Sequence, residues 1–183
     1  MKPYLAHYNV QTGAGQTVLE HLQETAQLAQ SFADVFGAGS LGYRCGALHD
    51  IGKSSAAFQK GLLEKGSKVD HSTAGALEAV KQGDCITAFC VAGHHGGLPD
   101  GSSKYADCAT DSTLWAKCKR RPGKEIPNYD RDTIPPFPPA VLPEEMEQLS
   151  DSFSVSFLIR MLFSCLVDAD FLNTERFLLN HAV

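Results

Sequence analysis

Apolar residues recur at helical spacing along most of this chain. From Thr17 to Phe36 they fall at every third or fourth position and Gly37 then follows, a pattern that predicts a helix with a glycine stop. Ser40 is suited to cap a second helix, which we expect to end near Gly52. The first part of the chain is therefore predicted to be helical.

Further segments carry the same periodicity. Helices are predicted over residues 54–64 and 71–82 and around Trp115. The apolar run 85–92 fits either a buried strand or a buried helix by periodicity alone. We favour the helix, because its neighbours are helical and the sequence shows no partner strand.

The strongest apolar stripe lies after Pro143. It predicts a buried helix that runs into Asp168 and Asp170 and is followed by a final short helix. The stripe consists of Phe153, Phe157, Leu158, Met161, Leu162, Cys165 and Leu166. Seven of the nine prolines fall within residues 122–143, where the fixed φ and missing amide hydrogen of proline disfavour regular structure.

Together these patterns predict an all-α fold, a compact helical bundle with a proline-rich insertion at about residues 122–143. A chain of 183 residues has the size of one domain and can bury a sizeable core. We therefore expect a single domain that spans residues 1–183.

Charge and cysteine content narrow the function classes. The net charge of -5 argues against a protein that holds DNA by attraction over its whole surface. None of the six cysteines forms a Cys-x-x-Cys pair, which argues against a zinc ribbon or a thioredoxin-like site. The N-terminus lacks the apolar core of a signal peptide, and the most apolar stretch, residues 154–167, is shorter than a membrane span. We expect a cytoplasmic protein that does not bind membranes.

Histidine is the residue type that points to chemistry. Seven are present; His49 directly precedes Asp50, and the adjacent His94 and His95 have glycine on both sides. Adjacent histidines on a helix point about 100° apart, so both reach one centre only at a helix end or bend, which glycine allows. Because a lone histidine is usually an ordinary core or surface residue, the weight rests on the combination.

Two late aspartates add carboxylates to this set. Asp168 and Asp170 follow the long apolar stripe, and a carboxylate that enters a core is unfavourable unless it is paired or bound to a metal. Imidazole and carboxylate ligands without a thiolate suit catalytic Mn, Fe, Ni, Co or Zn better than a structural zinc. If Asp50 bridges two cations about 3.5 to 4 Å apart, the expected reaction is hydrolysis of a phosphate ester.

The ordered set of motifs resembles the HD superfamily of metal-dependent phosphohydrolases, through His21, His49-Asp50 and Asp170. Within that superfamily it is similar to the HD nuclease module of the type I CRISPR-associated helicase-nuclease, often called Cas three. The matching stretches are His21-Leu22-Gln23-Glu24-Thr25, Leu48-His49-Asp50-Ile51-Gly52-Lys53, Asp70-His71-Ser72, Gly93-His94-His95-Gly96-Gly97 and Leu166-Val167-Asp168-Ala169-Asp170-Phe171-Leu172.

The resemblance implies two divalent transition-metal ions that share one carboxylate, with Mn, Ni, Co or Fe favoured over Mg or Zn. The implied ligands are His21, His49, Asp50 and a late aspartate for one ion, and Asp50, His71, His94 and His95 for the other. For the late aspartate we favour Asp170, because Ala-Asp followed by an aromatic residue is similar to the family pattern; Asp168 is the alternative.

Asp50 and Lys53 are the catalytic residues that we infer. Lys53 lies four residues after His49, either one helical turn on or just beyond the helix end. From there its ammonium group could offset the charge that develops on a phosphate. The alternative is an ordinary solvated surface lysine.

The resemblance implies an endonuclease or exonuclease that cuts single-stranded DNA in CRISPR antiviral interference. Its implied partners are the CRISPR helicase and the guide-RNA surveillance complex, and we expect a monomer. No Walker-type Gly-x-x-x-x-Gly-Lys-Ser/Thr motif is present, so the helicase domain is expected to be absent. A DNA groove is expected along residues 96–103 and the proline-rich segment. Its basic and aromatic residues would be Lys104, Tyr105, Trp115, Lys117, Lys119, Arg120, Arg121 and Lys124.

Two other functions remain open from the sequence. An HD phosphohydrolase that acts on a small nucleotide would use the same ligands but would enclose its substrate, whereas a nuclease needs a groove that continues past the metals. A non-catalytic helical module would hold a structural metal or none and would act by docking to its partners.

Overall fold

The computed structural model describes residues 3–64, 69–101, 113–119, 126–142 and 151–181. Within these ranges the chain forms seven α-helices and one small hairpin, so the predicted all-α helical bundle is confirmed. The helices are α1 (Val18–Ala33), α2 (Gly39–Leu48), α3 (Ala56–Glu64), α4 (Ser72–Lys81), α5 (Cys85–Gly93), α6 (Leu114–Cys118) and α7 (Ser152–Asn180).

Helix α1 has a reciprocal cap at its start. The Thr17 hydroxyl accepts a hydrogen bond from the Glu20 amide at 3.2 Å, and the Glu20 carboxylate accepts one from the Thr17 amide at 2.9 Å. A 3-10 turn, Asp34–Phe36, follows the helix, and Gly37 ends it with a φ of 73°. The predicted glycine stop is therefore confirmed.

Helix α2 packs on α1 along a seam of small residues. A Cβ atom at Gly42 would lie 2.5 Å from the oxygen of Ala29, and one at Gly46 would lie 2.4 Å from the Cα atom of Ala26. Because only glycine permits so close an approach, these two positions bring the C-terminal end of α2 beside the middle of α1.

The ends of α2 differ from the prediction. The helix begins at Gly39 with Ala38 as its N-cap, so the predicted Ser40 cap is wrong. The Ser40 hydroxyl instead donates to the oxygen of Val141 at 3.3 Å. The helix ends at Leu48 rather than near Gly52, and a 3-10 turn, Ile51–Ser54, forms a separate element.

Helix α7 is one continuous element, so the predicted final short helix is wrong. Its 29 residues contain neither glycine nor proline, and nothing in the sequence stops it before Asn180. The predicted burial holds for only part of the stripe, because Phe153, Phe157 and Met161 are 77%, 57% and 38% exposed. Residues 143–150, where we expected the element to begin, lie outside the described ranges. Neither α7 nor any other helix in those ranges is long and apolar enough to cross a membrane.

The hairpin is absent from the sequence prediction, whereas the choice of helix for residues 85–92 is confirmed by α5. Strand β1 (Leu5–Tyr8) pairs antiparallel with β2 (Gly15–Thr17). Strands this short show no clear period-two alternation. The Gln59 side chain of α3 hydrogen-bonds to both the amide and the carbonyl of Leu5, at 3.0 and 2.8 Å. The hairpin is thereby fixed to the bundle.

The proline-rich strap, residues 126–142, contains only a 3-10 turn, Arg131–Thr133, in agreement with the predicted irregular structure. Its main anchor is the carboxylate of Glu78 on α4, whose two oxygens accept from Arg131 Nη2 at 2.6 and 2.7 Å. The same carboxylate accepts from the Tyr129 hydroxyl and, at 2.9 Å, from Lys81 Nζ. Glu78 therefore holds the N-terminal part of the strap, while Ser54 and Arg44 bind the main chain at Asp130 and Pro138.

The Glu78 anchor predicts a specific loss of stability in acid. Burial would raise the pKa of Glu78, but hydrogen bonds from Tyr129, Arg131 and Lys81 outweigh burial and lower it to about 2. A carboxyl group with a lowered folded pKa stabilises the fold above its unfolded pKa, here 4.5, and that stability is lost as the pH falls toward 2. Between pH 5 and pH 3, the wild type should lose about 1 kcal/mol more than Glu78→Gln, a figure reduced for solvent screening.

Urea denaturation at the two pH values measures this difference. The control is Glu64→Gln, which removes an exposed carboxylate paired only loosely with Lys60 and should behave like the wild type. Equal acid losses in the wild type and Glu78→Gln would contradict the prediction.

Candidate metal centre

A cluster of imidazoles and carboxylates forms where three helix ends meet α1 and α7. Its ligand atoms fall into two groups, and within each group all of them lie within 4.8 Å of one another. The inner group is His21, His49, Asp50 and Asp170, and the outer group is Asp50, His71, His94 and His95. The structure thus brings together all seven of the side chains that the sequence pointed to as metal ligands.

Most of these residues lie at or just beyond helix ends. His49 is the C-cap of α2 and Asp50 follows it, whereas His71 is the N-cap of α4. His94 is the C-cap of α5, and His95 lies in the turn beyond it. Because residues past a helix end are not bound to the helical turn angle, the adjacent histidines both reach the same centre.

Asp50 lies at the middle of the cluster and is fully buried. Its Oδ2 atom is 3.1 Å from His21 Nε2 and 3.3 Å from His49 Nε2. Its Oδ1 atom is 3.3 Å from His71 Nε2 and also 3.3 Å from His94 Nε2. One carboxylate therefore connects the two groups through its two oxygens.

The imidazoles present the same nitrogen to this carboxylate. Nδ1 of His49, His71 and His94 donates to a main-chain carbonyl oxygen at 2.8, 2.9 and 2.8 Å, respectively. Since a carbonyl oxygen can only accept, Nδ1 of each ring carries a proton, and Nε2 is the nitrogen that faces the cluster.

A side-chain network that the sequence analysis missed fixes the orientation of His21. Its Nδ1 donates to Asn173 Oδ1 at 2.7 Å, while Asn173 Nδ2 donates to a carboxylate oxygen of Glu24 at 2.5 Å. Gln16 Nε2 donates to both acceptors at 3.1 Å. The sequence spacing could have indicated this contact, because Asn173 lies three residues after Asp170 on one helix and residues with this spacing share a helix face.

A second residue that the sequence analysis missed is His7 in the hairpin. Its ring packs edge-on against His21 with centroids 4.8 Å apart and stacks on Phe177 at 5.7 Å. Burial, reinforced by the charge of Lys53, lowers the pKa of His7 to about 3. His7 is therefore a neutral packing surface behind the inner group, and it could not be found without the hairpin.

Burial keeps three imidazoles of the cluster neutral. It is the largest influence on His21, His71 and His95; it lowers the pKa of each and brings that of His95 to about 4. Metals bind imidazole in its neutral form, so these rings are ready to ligate at pH 7.

His49 differs from the other imidazoles because it lies between two carboxylates. Burial opposes its charged form, but Asp50 and Asp170 outweigh burial and raise the pKa of His49 to about 10. Burial would likewise raise the pKa values of both carboxyl groups, yet Lys53 and His49 hold that of Asp50 well below its ordinary value, and His49 does the same for Asp170. The proton on His49 therefore lies between the two carboxylates, where a divalent cation would otherwise balance their charge, and binding of a metal by this ring would release that proton.

The donor set fits divalent metal ions. Asp50 Oδ1 and His94 Nε2 are buried, and neither has a hydrogen-bond partner within the described residues. His71 Nε2 lies 2.7 Å from His95 Nε2, and two lone pairs at this distance repel one another unless a proton or a cation lies between them. Nitrogen and oxygen donors without a thiolate suit first-row transition metals.

Lys53 is buried beside Asp50, so the alternative of a solvated surface lysine is wrong. Only 6% of the residue is exposed, and its Nζ atom lies 2.6 Å from Asp50 Oδ2. The 3-10 turn after Asp50 places the ammonium group on the carboxylate that joins the two groups.

Glycine at position 52 allows His71 to reach the cluster. A Cβ atom there would lie 2.4 Å from the oxygen and 2.7 Å from the Cα atom of His71. Gly75 on α4 permits a similar close contact, since a Cβ atom there would lie 1.9 Å from the oxygen of Leu48. The chain can therefore bring α4 directly against the end of α2.

The late aspartate in the cluster is Asp170. Its Oδ1 atom lies 3.4 Å from His21 Nε2 and 3.5 Å from His49 Nε2. Asp168 is exposed to solvent. Two positions along a helix correspond to a rotation of about 200°, so only one of the two aspartates can face the cluster.

Five of the eight basic and aromatic residues expected along the DNA groove lie outside the described ranges. These five are Lys104, Tyr105, Arg120, Arg121 and Lys124. Of the described members, Trp115 is half-buried, and Lys117 Nζ donates to the carbonyl oxygen of Ala92 at 2.7 Å. The charge of Lys117 therefore serves the contact between α6 and α5.

The chain is similar to known proteins over the segment that carries most of the cluster. The profile of the family described as HD domain matches residues 18–133, more than half of the chain. Ribonuclease Y from Thermobifida fusca is 37% identical over 93 residues, and Ribonuclease Y 2 from Pediococcus pentosaceus is 33% identical over 95 residues. These alignments cover 50% and 51% of this chain but only 17% of each relative.

The Asn173 network predicts a change in metal affinity. Asn173→Ala removes the acceptor that fixes the tautomer and the direction of His21, so we expect the affinity for Mn²⁺ to fall about 10- to 100-fold. Isothermal titration calorimetry on the purified protein measures it. Asn180→Ala, at the exposed end of the same helix, is the control; an unchanged affinity in Asn173→Ala would rule out this role.

The close approach at Gly52 predicts selective damage to the outer group. Gly52→Ala requires the backbone of His71 to move by about 1 Å to reach normal contact distance, which misdirects that imidazole. We expect Mn²⁺ binding at the outer group to weaken about tenfold or more, while the inner group keeps its affinity. The control is Gly101→Ala, whose Cβ atom would meet open space. Two-site calorimetric titration separates the groups, and equal weakening of both would contradict the prediction.

Proposed function

The chain belongs to the HD domain family of metal-dependent phosphohydrolases, and on that basis we propose that it is a nuclease that hydrolyses phosphodiester bonds of single-stranded DNA. The observation that supports this most directly is the sharing of Asp50 between two groups of ligand atoms. A pair of cations held by one carboxylate suits displacement at a phosphorus atom that carries both an attacking and a leaving oxygen.

The residues of the site have different roles in this proposed reaction. Cations bound at such a site polarise phosphate oxygens and lower the pKa of water toward 7. The imidazoles of both groups would contribute nitrogen donors without negative charge, so Asp50 and Asp170 would cancel only part of the charge of bound ions. Lys53, at 2.6 Å from Asp50, keeps that carboxylate ionised and adds positive charge beside the position of the phosphate.

The exposure of the cluster favours a polymer over a small enclosed nucleotide. The inner histidines are fully buried, whereas the His95 side chain is 52% exposed. The outer group therefore opens to solvent on one side, and a strand can pass across it without being enclosed.

Single-stranded RNA is the second candidate substrate. The similarity to two proteins named Ribonuclease Y supports it. The motif set with the adjacent pair His94-His95 supports DNA, through its resemblance to the CRISPR nuclease module. Both substrates present the same phosphodiester to the metals, so cleavage assays on the two polymers decide between them.

The proposed setting is CRISPR interference in the cytoplasm. There the chain would act as a single HD nuclease domain over residues 1–183, as a monomer, together with a CRISPR helicase and a guide-RNA surveillance complex. The resemblance of the motifs supports this setting, and the ions that we propose are Mn, Ni, Co or Fe.

Cleavage assays with one isosteric variant test the proposal. The wild type should degrade single-stranded oligonucleotides when Mn²⁺, Ni²⁺, Co²⁺ or Fe²⁺ is added and should be inactive with a chelator. Asp50→Asn should lower the rate about 1,000-fold, because it removes the charge that joins the two ion sites. Asp168→Asn, on the exposed face of α7, is the matched control and should cleave like the wild type.

The choice of substrates distinguishes the alternatives. The assay compares single-stranded DNA, double-stranded DNA, single-stranded RNA and nucleoside phosphates, with circular dichroism to check that each variant is folded. Cleavage of RNA alone would favour the second candidate, and hydrolysis of nucleoside phosphates alone would contradict a nuclease. No metal-dependent hydrolysis of any of them would leave a non-catalytic module.

A further inference from the structure

A cavity of about 540 Å³ adjoins the outer group on its solvent side. It is lined by Phe58, Val69, Asp70, His71, Ser72 and His95. A volume of this size lies within the range of small-molecule sites and can hold the base and sugar of one nucleotide. The cavity is thus in the right place and of the right size to receive a part of the substrate.

Two walls of the cavity belong to the metal cluster itself. His71 Nε2 and His95 Nε2 lie 3.3 and 3.9 Å from Asp50 Oδ1. A phosphate held at the outer group therefore lies at the mouth of the cavity, and the nucleoside attached to it is the nearest group able to enter.

The wall formed by Phe58 is aromatic and lies beside His71 and Lys53. Its ring meets the ring of His71 edge-to-face, with centroids 5.2 Å apart and an angle of 72° between the planes. The Lys53 ammonium group lies 5.9 Å from the centroid of the same ring. Helix α3 carries Phe58 at its third residue and has no fully buried side chain, so the ring is not needed to fill the core.

The carboxylate of Asp70, which also lines the cavity, already accepts hydrogen bonds. Asp70 Oδ1 accepts from the Thr73 amide at 3.1 Å, and Asp70 Oδ2 accepts from the Thr73 hydroxyl at 2.6 Å. These bonds cap the start of α4. The carboxylate is thus occupied by its own helix, and an aromatic face is the main feature that the cavity offers to a planar ligand.

We propose that this cavity is the subsite for an unpaired nucleobase next to the cleaved phosphodiester, with Phe58 as the surface on which that base stacks. This inference rests on the proposed nuclease function and adds the basis of its substrate preference. Stacking accepts any base, because every base has a π face. A base within a duplex already has both faces covered, so the subsite favours single strands whatever their sequence.

Steady-state kinetics that combine a substitution in the protein with a change in the substrate test the subsite. The substrates are an octamer of thymidine and an abasic octamer of equal charge. Phe58→Ala should raise KM for the thymidine octamer about 10-fold or more with little change in kcat, and Phe58→Trp should restore it. The KM of the wild type for the abasic octamer should be as high as the KM of Phe58→Ala for the thymidine octamer. For Phe58→Ala, the KM for the abasic octamer should show no further increase. Phe157→Ala, which removes an exposed ring from α7, is the control.

A binding measurement separates the subsite from the catalytic proposal. A strand that contains 2-aminopurine should lose fluorescence on binding to the wild type in Mg²⁺, but not on binding to Phe58→Ala. Wild-type cleavage with unchanged KM in Phe58→Ala would overturn the subsite and leave the nuclease standing. Quenching by the wild type without any cleavage would keep the subsite and reject the nuclease. Absence of quenching in the wild type would overturn the subsite directly.

Discussion

The buried carboxylate of Asp50 is the constraint on which the rest of the structure depends. An isolated ionised carboxylate is strongly disfavoured in a protein interior unless charges and hydrogen bonds compensate it. Here Lys53 lies on one oxygen, and four imidazole nitrogens lie within 3.3 Å of the two oxygens together. The helices that end at this point are thus held around a charge whose most effective partner is a divalent cation. Stability and function are coupled through one side chain.

Close backbone approaches make that convergence possible. At Gly46 the end of α2 meets α1, at Gly75 helix α4 meets the last turn of α2, and at Gly52 the chain after Asp50 touches His71. In each case a Cβ atom would lie under 2.5 Å from the neighbouring backbone. An imidazole side chain cannot bridge a wider gap between helices and still place its nitrogen beside Asp50. These glycines therefore determine the distances between the ligands.

The sequence predicted the helices and the primary ligands for a physical reason. Helical periodicity and the spacing of His49-Asp50 and His94-His95 are local properties of the chain. What depends on contacts between distant residues escaped prediction: the Asn173 and Glu24 support of His21, the hairpin with His7, and the continuity of α7 past Asp170. The exposure of Phe153 and Phe157 was not predicted for the same reason. An apolar stripe shows which face of a helix is apolar, but not whether another part of the protein covers that face.

The two groups of ligands differ in their access to water, and this difference determines the side from which a substrate can reach the site. His21, His49 and Asp50 are fully buried, with His7 and Asn173 packed behind them, whereas the outer group includes the half-exposed His95 and adjoins the Phe58 cavity. Among the inner ligands only Asp170 is partly exposed, with 20% of its side chain accessible, so an ion held there would have less access to solvent than one held by the outer group. In the nuclease that we propose, a phosphate would therefore approach from the outer side, with its nucleoside directed to the Phe58 cavity and the inner group behind it. Within this cluster His21 takes its support from the side chains of Asn173 and Glu24, whereas His49, His71 and His94 take theirs from main-chain carbonyl oxygens, so the orientation of His21 depends on a contact between α1 and α7.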